Sequence, residues 1–262
     1  MGLSDLFRRF YRKVYVGIYR EKDITHVSVL YVGKGGPSSS KTRAFGGGFP
    51  NGEAVEFVRE AVETTPLNYI AVLTDAAGCG AVATCSASKA KEMFPEVAGS
   101  RTVCMDEEWM NFLDEETLTG VLERYAVLRP DALYTPFALL HFLYREAMEG
   151  AHALYLLVTP EAMSLAVVKE RHLRFAEHFR CDSGARVPAM AARIVEALEN
   201  YYGKPCCRGE FIETVHIADG AGVGGLLRKT LDDLLLLDSH LQTVDMAELT
   251  AALCKKETDD AI

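Results

Sequence analysis

Residues 219–225 read DGAGVGG, in which Gly220, Gly222 and Gly225 give G-x-G-x-x-G between an apolar run and a helix-like segment. Glycines at that spacing let a chain turn tightly and bring backbone amides to a phosphate, and Asp238 would then serve as the ribose acid. Only about forty residues follow Gly220. That is too few for the remaining strands and crossovers of a dinucleotide domain. The plainer reading is a flexible strand-to-helix turn. Lys34, Gly35 and Gly36 with Ser38, Ser39 and Ser40 form a second glycine- and serine-rich stretch, but they miss the G-x-x-x-x-G-K-[ST] spacing and read as an exposed hairpin connection.

Other reactive residue types are scattered. Ser86-x-x-Lys89 lacks the KTG and SDN companions of its hydrolase pattern, and no G-x-S-x-G occurs. The seven histidines, at 26, 141, 152, 172, 178, 216 and 240, include no His-x-x-x-His pair on an expected helix. His172 and His178 share one strand face at most, so core or strand-edge roles are expected. The seven cysteines, at 79, 85, 104, 181, 206, 207 and 254, form no CxxC pair and read as reduced thiols. No metal site is expected.

These residues sit in 262 positions, with 49 % hydrophobic and 25 % charged side chains and a net charge of −9. The length suits two lobes, and the acidic balance argues against nucleic acid and anionic lipid as non-specific partners. No apolar run reaches the roughly 18 residues of a membrane-spanning helix, and the N-terminus lacks a signal peptide's apolar core. A cytoplasmic protein is expected. One helix, at residues 3–12, would set Leu3, Phe7, Phe10 and Tyr11 against Arg8, Arg9, Arg12 and Lys13. It could cover its own core, rest on the inner face of a membrane, or meet a partner.

The elements recur in order. Strands are expected at 14–20, 25–32 and 41–46, then a helix at 52–64 and a strand at 67–75; strands at 152–159, 163–170 and 172–179, a helix at 187–203 and a strand at 212–219 repeat that series. Between the halves lie an irregular segment, 76–111, a helix at 114–128, a short strand within 129–136 and a helix at 137–150. The C-terminal CKKETDDAI reads as a solvated tail.

A duplicated unit of this kind resembles the actin-like (ribonuclease H-like) fold, α/β, with two lobes each holding a mixed sheet and flanking helices. More narrowly, it resembles the PilM and GspL branch. RPDALYTPFALLHFLY resembles the segment crossing between lobes, HALYLLVTPEAMSLAVVKERHLRFAEHF the second-lobe meander, and IETVHIADGAGVGGLLRKTLDDLL the late strand, glycine-rich turn and helix that hold adenosine in active members. The resemblance implies a first lobe at 1–136, with the insert near 76–111, and a second at 137–262. It makes Asp219, Gly220, Gly222, Gly224 and Gly225 a remnant adenosine loop.

Active members carry Gly and Asp in both phosphate hairpins. Here the hairpins read YREKDITH and VTPEAMS. Pro160 lacks an amide donor, and Glu21 and Glu161 put a carboxylate in each turn. At about 4 Å and an effective dielectric near 20, each repulsion of a phosphate costs roughly 4 kcal/mol. The resemblance therefore implies no cofactor and no catalysis. It implies a cytoplasmic scaffold of a type IV pilus, type II secretion or DNA-uptake machine, linking an inner-membrane assembly protein to a motor ATPase. The alternatives are an active actin-like ATP-binding protein or kinase, and a nucleotide or dinucleotide sensor built on the Gly220–Gly225 turn.

Overall fold

The computed structural model describes residues 12–33, 38–105, 107–150, 152–181, 187–204, 207 and 210–260. The helix expected at 3–12 therefore lies outside the described residues except for Arg12, which is exposed; Lys34–Pro37 and Cys206 lie outside them as well.

In chain order the elements begin with β1 (Lys13–Glu21), β2 (Ile24–Val32), β3 (Ser39–Gly46), α1 (Gly52–Val62) and β4 (Leu67–Leu73). Next come β5 (Cys79–Val82), α2 (Ala87–Met93), β6 (Ser100–Met105), β7 (Trp109–Asp114), α3 (Glu115–Tyr125), β8 (Ala132–Tyr134) and α4 (Pro136–Tyr144). The chain then forms β9 (His152–Val158), β10 (Ala162–Lys169), β11 (His172–Arg180), α5 (Val187–Gly203), β12 (Thr214–Asp219), α6 (Gly224–Leu235), β13 (Asp238–Thr243) and α7 (Met246–Asp260). Two five-stranded sheets share one pattern: β3-β2-β1-β4-β8 and β11-β10-β9-β12-β13. In each, an antiparallel meander is followed by strands added in parallel through helices. The duplicated α/β architecture expected from the element order is present, with β13 as an additional strand.

Each sheet belongs to its own compact unit. The first unit comprises Met1–Thr74, Thr119–Tyr134 and Asp245–Ile262, and the second Asp75–Leu118 and Thr135–Val244. Both units are discontinuous, whereas the sequence reading divides the chain once, at 136/137. In the first unit β1 is buried along its middle, because successive side chains point to opposite faces and both faces are covered. Val14, Val16 and Ile18 pack with Val55 and Val58 of α1. On the other face α7 lies against the strand so closely that a Cβ at Gly17 would stand 2.0 Å from the Ala247 carbonyl oxygen. Small residues of α7, Ala247 and Ala251, are buried there. The C-terminal CKKETDD is thus the end of a packed helix and not a solvated tail: Cys254 is buried, Tyr134 donates to Glu257 at 2.7 Å, and Lys13 pairs with Asp259 at 2.7 Å.

In the second unit every residue of β9 is buried. Leu154, Leu156 and Val158 face the core formed with α5 and α6. On the opposite face Tyr155 stacks on His216 at 4.9 Å, and His216 on His240 at 5.0 Å, with Tyr144 of α4 closing the group. The segment 76–111, expected to be irregular, instead carries α2 and most of a three-stranded antiparallel sheet, β5-β7-β6. Its hairpin β6–β7 alternates too briefly, and is interrupted by too many acidic residues, to stand out from sequence. Cys85 and Cys104 are disulfide-bonded across this small sheet, with Cα atoms 5.3 Å apart. They were expected to be reduced thiols, and only the strand pairing reveals two positions 19 residues apart as neighbours.

Two outcomes follow from this packing. Gly17→Val forces β1 and α7 apart and lowers stability by about 1–3 kcal/mol, read as a lower urea midpoint. Burial, followed by the neighbouring His240, lowers the pKa of His216 from 6.5 to about 4. The unfolded chain therefore takes up a proton first as pH falls. The stability that neutral His216 contributes is complete above about 6.5 and is lost progressively towards 4. Denaturation titrations of His216→Gln across that window will show a shallower pH slope than the parent.

Candidate functional site

The residues singled out at 219–225 form the turn between β12 and α6. Asp219 ends a buried strand and is itself buried, and its carboxylate folds back over the turn that follows. One carboxylate oxygen, Oδ1, accepts from the amides of Ala221 at 3.0 Å and Val223 at 3.3 Å. The other, Oδ2, accepts from the amide of Gly224 at 2.7 Å. Helix N-termini expose unpaired N–H groups and a partial positive charge, so a carboxylate there is well placed. The turn's own side chain fills the position an anion would take.

The glycines have separate reasons. Gly222 has φ +74°, the left-handed region that other residues rarely occupy. A Cβ at Gly224 would lie 2.7 Å from both Cβ and Oδ2 of Asp219, so this glycine permits the carboxylate to close. Gly220 donates its amide to the Val158 carbonyl at 2.8 Å, which fixes the turn to β9. A side chain at Gly225 would meet open space. Four of the five residues thus build one closed turn, and Gly225 only follows it.

The hairpin between β9 and β10 is also internally satisfied. Thr159 and Ala162 exchange bonds: the Thr159 amide donates to the Ala162 carbonyl at 2.9 Å, and the Ala162 amide to Thr159 Oγ1 at 3.0 Å. Thr159 Oγ1 in turn donates to Asp75 Oδ2 at 2.7 Å. Pro160 offers no amide, and Glu161 is drawn to Arg180 at 3.4 Å. In the first unit the β1–β2 turn places Lys22 at φ 48°, with its carbonyl taken by Arg20 Nε at 2.7 Å; Glu21 lies 3.4 Å from His26.

Asp75 also organises His178. Its carbonyl oxygen, which can only accept, lies 3.1 Å from His178 Nε2, so that nitrogen carries the proton. Nδ1 then accepts from the Ser164 hydroxyl at 2.7 Å. Burial holds His178 below its usual pKa and favours this neutral form. Ser164 is only 1 % exposed, so the serine hydroxyl braces the half-buried His178 ring from within the sheet. Sequence spacing gave no sign of Asp75, which is 84 positions from Thr159. Among the described residues, no three His, Cys, Asp or Glu side chains group as a metal site.

A family model described as Domain of unknown function (DUF8569) matches residues 10–141, half of the chain. The chain belongs to that family. A second model, Domain of unknown function (DUF8341), matches residues 181–259 of this DUF8569 protein. No curated protein matches its sequence. Among solved structures it is similar to a Bacteroides thetaiotaomicron VPI-5482 protein with an actin-like ATPase fold and unknown function. That similarity has 11 % identity and a TM-score of 0.59, covering 96 % of this chain and 99 % of the other. It is also similar to a chain of the PilM–PilN type IV pilus biogenesis complex, at 13 % identity and a TM-score of 0.53, covering 92 % and 94 %. The chain has an actin-like ATPase fold.

Replacing the carboxylate tests its part in the turn. Asp219→Ala leaves buried amides without an acceptor and lowers stability by about 1–3 kcal/mol, whereas Asp219→Asn keeps one acceptor oxygen and loses less. Urea unfolding of both variants measures the difference.

Proposed function

We propose that this protein is a non-catalytic scaffold that uses an actin-like fold to hold partners in a type IV pilus, type II secretion or DNA-uptake assembly. In this reading it links an inner-membrane protein to a motor ATPase on the cytoplasmic side. The observation that carries it is the Asp219 carboxylate bound to the amides of Ala221, Val223 and Gly224. A nucleotide at that turn, whether met through its adenosine or a phosphate, would find these three amides already bound to a buried carboxylate. At the β9–β10 hairpin it would find Pro160 and amides taken by Thr159 and Ala162.

The partner side of the reading draws support from the fold-level likeness to the PilM–PilN complex. Among the described residues no helix is long and apolar enough to cross a membrane. Attachment in this scheme runs through a partner or through the N-terminal Leu3, Phe7, Phe10, Arg8, Arg9 and Arg12.

Thermal unfolding with Mg-ATP, Mg-ADP and NAD separates the readings. A ligand held only by the folded chain adds about 2.7 kcal/mol at a hundred times its Kd. The scaffold reading expects no shift with any of the three, and co-purification with an inner-membrane assembly protein. A rise in Tm with Mg-ATP would turn the assignment to an active ATP-binding protein or kinase, and a rise with NAD alone to a dinucleotide sensor.

A further inference from the structure

The second unit contains a cavity of about 340 Å³ between the edge strands β5 and β11. Its lining includes the half-buried Phe94, Phe112 and Phe175, with the fully buried Phe137 behind them. Phe112 reaches this position because Gly80 has no side chain: a Cβ there would stand 2.1 Å from the Phe112 ring. At one side His178, fixed between Ser164 and the Asp75 carbonyl, ties β11 to the residues just before β5.

The charges at the pocket are uneven. Arg174, Glu177 and Lys204 line it. Glu177 lies 3.7 Å from Arg193, and Arg174 lies 3.6 Å from Glu210, which Lys169 also contacts at 2.8 Å. Lys204 makes no ion pair among the described residues. Its exposed ammonium instead sits 4.7 Å from the centre of the Phe175 ring. Among the described residues no carboxylate pairs with this cation, which leaves it placed to meet an anion at the aromatic side of the pocket.

We propose that this pocket binds a small amphipathic carboxylate, with its apolar body against Phe94, Phe112 and Phe175 and its carboxylate at Lys204. The size fits: an apolar cavity of about 150 Å³ accepts benzene, and small-molecule sites start near 300 Å³. There is room for a ring with a short chain or for a medium-length alkyl chain. The site is separate from the closed turn at Asp219 and is independent of the scaffold reading.

Octanoate, octanol and octylammonium share one chain and differ in head-group charge. Calorimetric titration below their aggregation limits gives single-site binding of octanoate, about tenfold weaker binding of octylammonium, and an intermediate alcohol. Lys204→Ala weakens octanoate about fivefold without changing octanol, and Lys204→Glu reverses the order of acid and amine. Ala176→Trp, which fills the pocket, removes all three; because Lys204 is exposed, the two lysine variants keep the test decisive should the tryptophan variant fail to fold. Equal binding of the three compounds, or no binding of octanoate, overturns the proposal.

Discussion

The carboxylate of Asp219 closes a turn in which three backbone amides converge. It lies at the end of β12, before the first turn of α6, and takes the amides of Ala221, Val223 and Gly224. The same residue's carbonyl accepts from Val244, and the next amide, of Gly220, donates to Val158. One acidic residue therefore joins strand, turn and helix while it neutralises the helix N-terminus. A chain that used these amides for a ligand would leave them open to water. Here they are consumed by folding, and the proposed scaffold role starts from that observation.

The two sheets show how a single pattern can be built twice from different residues. β1 and β9 each lie at the centre of their sheet with both faces covered, and each continues into an antiparallel hairpin on one side and a parallel neighbour on the other. What covers the faces differs. In the first unit a glycine admits the backbone of α7, and in the second Tyr155 leads a stack of His216, His240 and Tyr144. Close packing makes each solution local: neither Gly17 nor Tyr155 could be exchanged for the other without moving the helix above it.

Much of this was legible in the sequence, for identifiable reasons. Strands such as VYVGIY and HALYLLV are nearly continuous apolar runs bounded by polar turns, as buried central strands require. The order of elements then repeats over two halves, and that repeat together with the resemblance to the actin-like family is why the duplicated fold could be expected. The segment 76–111 was opaque because its strands are short and the small sheet depends on pairing between distant positions. α7 was missed because four of its six buried residues are Ala, Thr and Cys, beside only Met246 and Leu253, and so carry little hydrophobic signal until Gly17 is seen opposite them. At the site, Asp219, Gly222 and Gly224 stood out by type and spacing. That the aspartate faces inward and occupies the amides is a matter of side-chain direction, and no spacing reveals it. The partner of Thr159 and the phenylalanine pocket likewise assemble residues from β5, β7, α4 and β11, and they exist only after folding.

The central claim concerns three amides, and amide resonances report on them directly. In nitrogen–proton spectra of the labelled protein, the account predicts that the Ala221, Val223 and Gly224 signals stay in place as Mg-ATP is raised to saturating levels. Saturable movement of those three signals, with the rest of the spectrum preserved, would show that the turn yields its donors to a phosphate and would contradict the account.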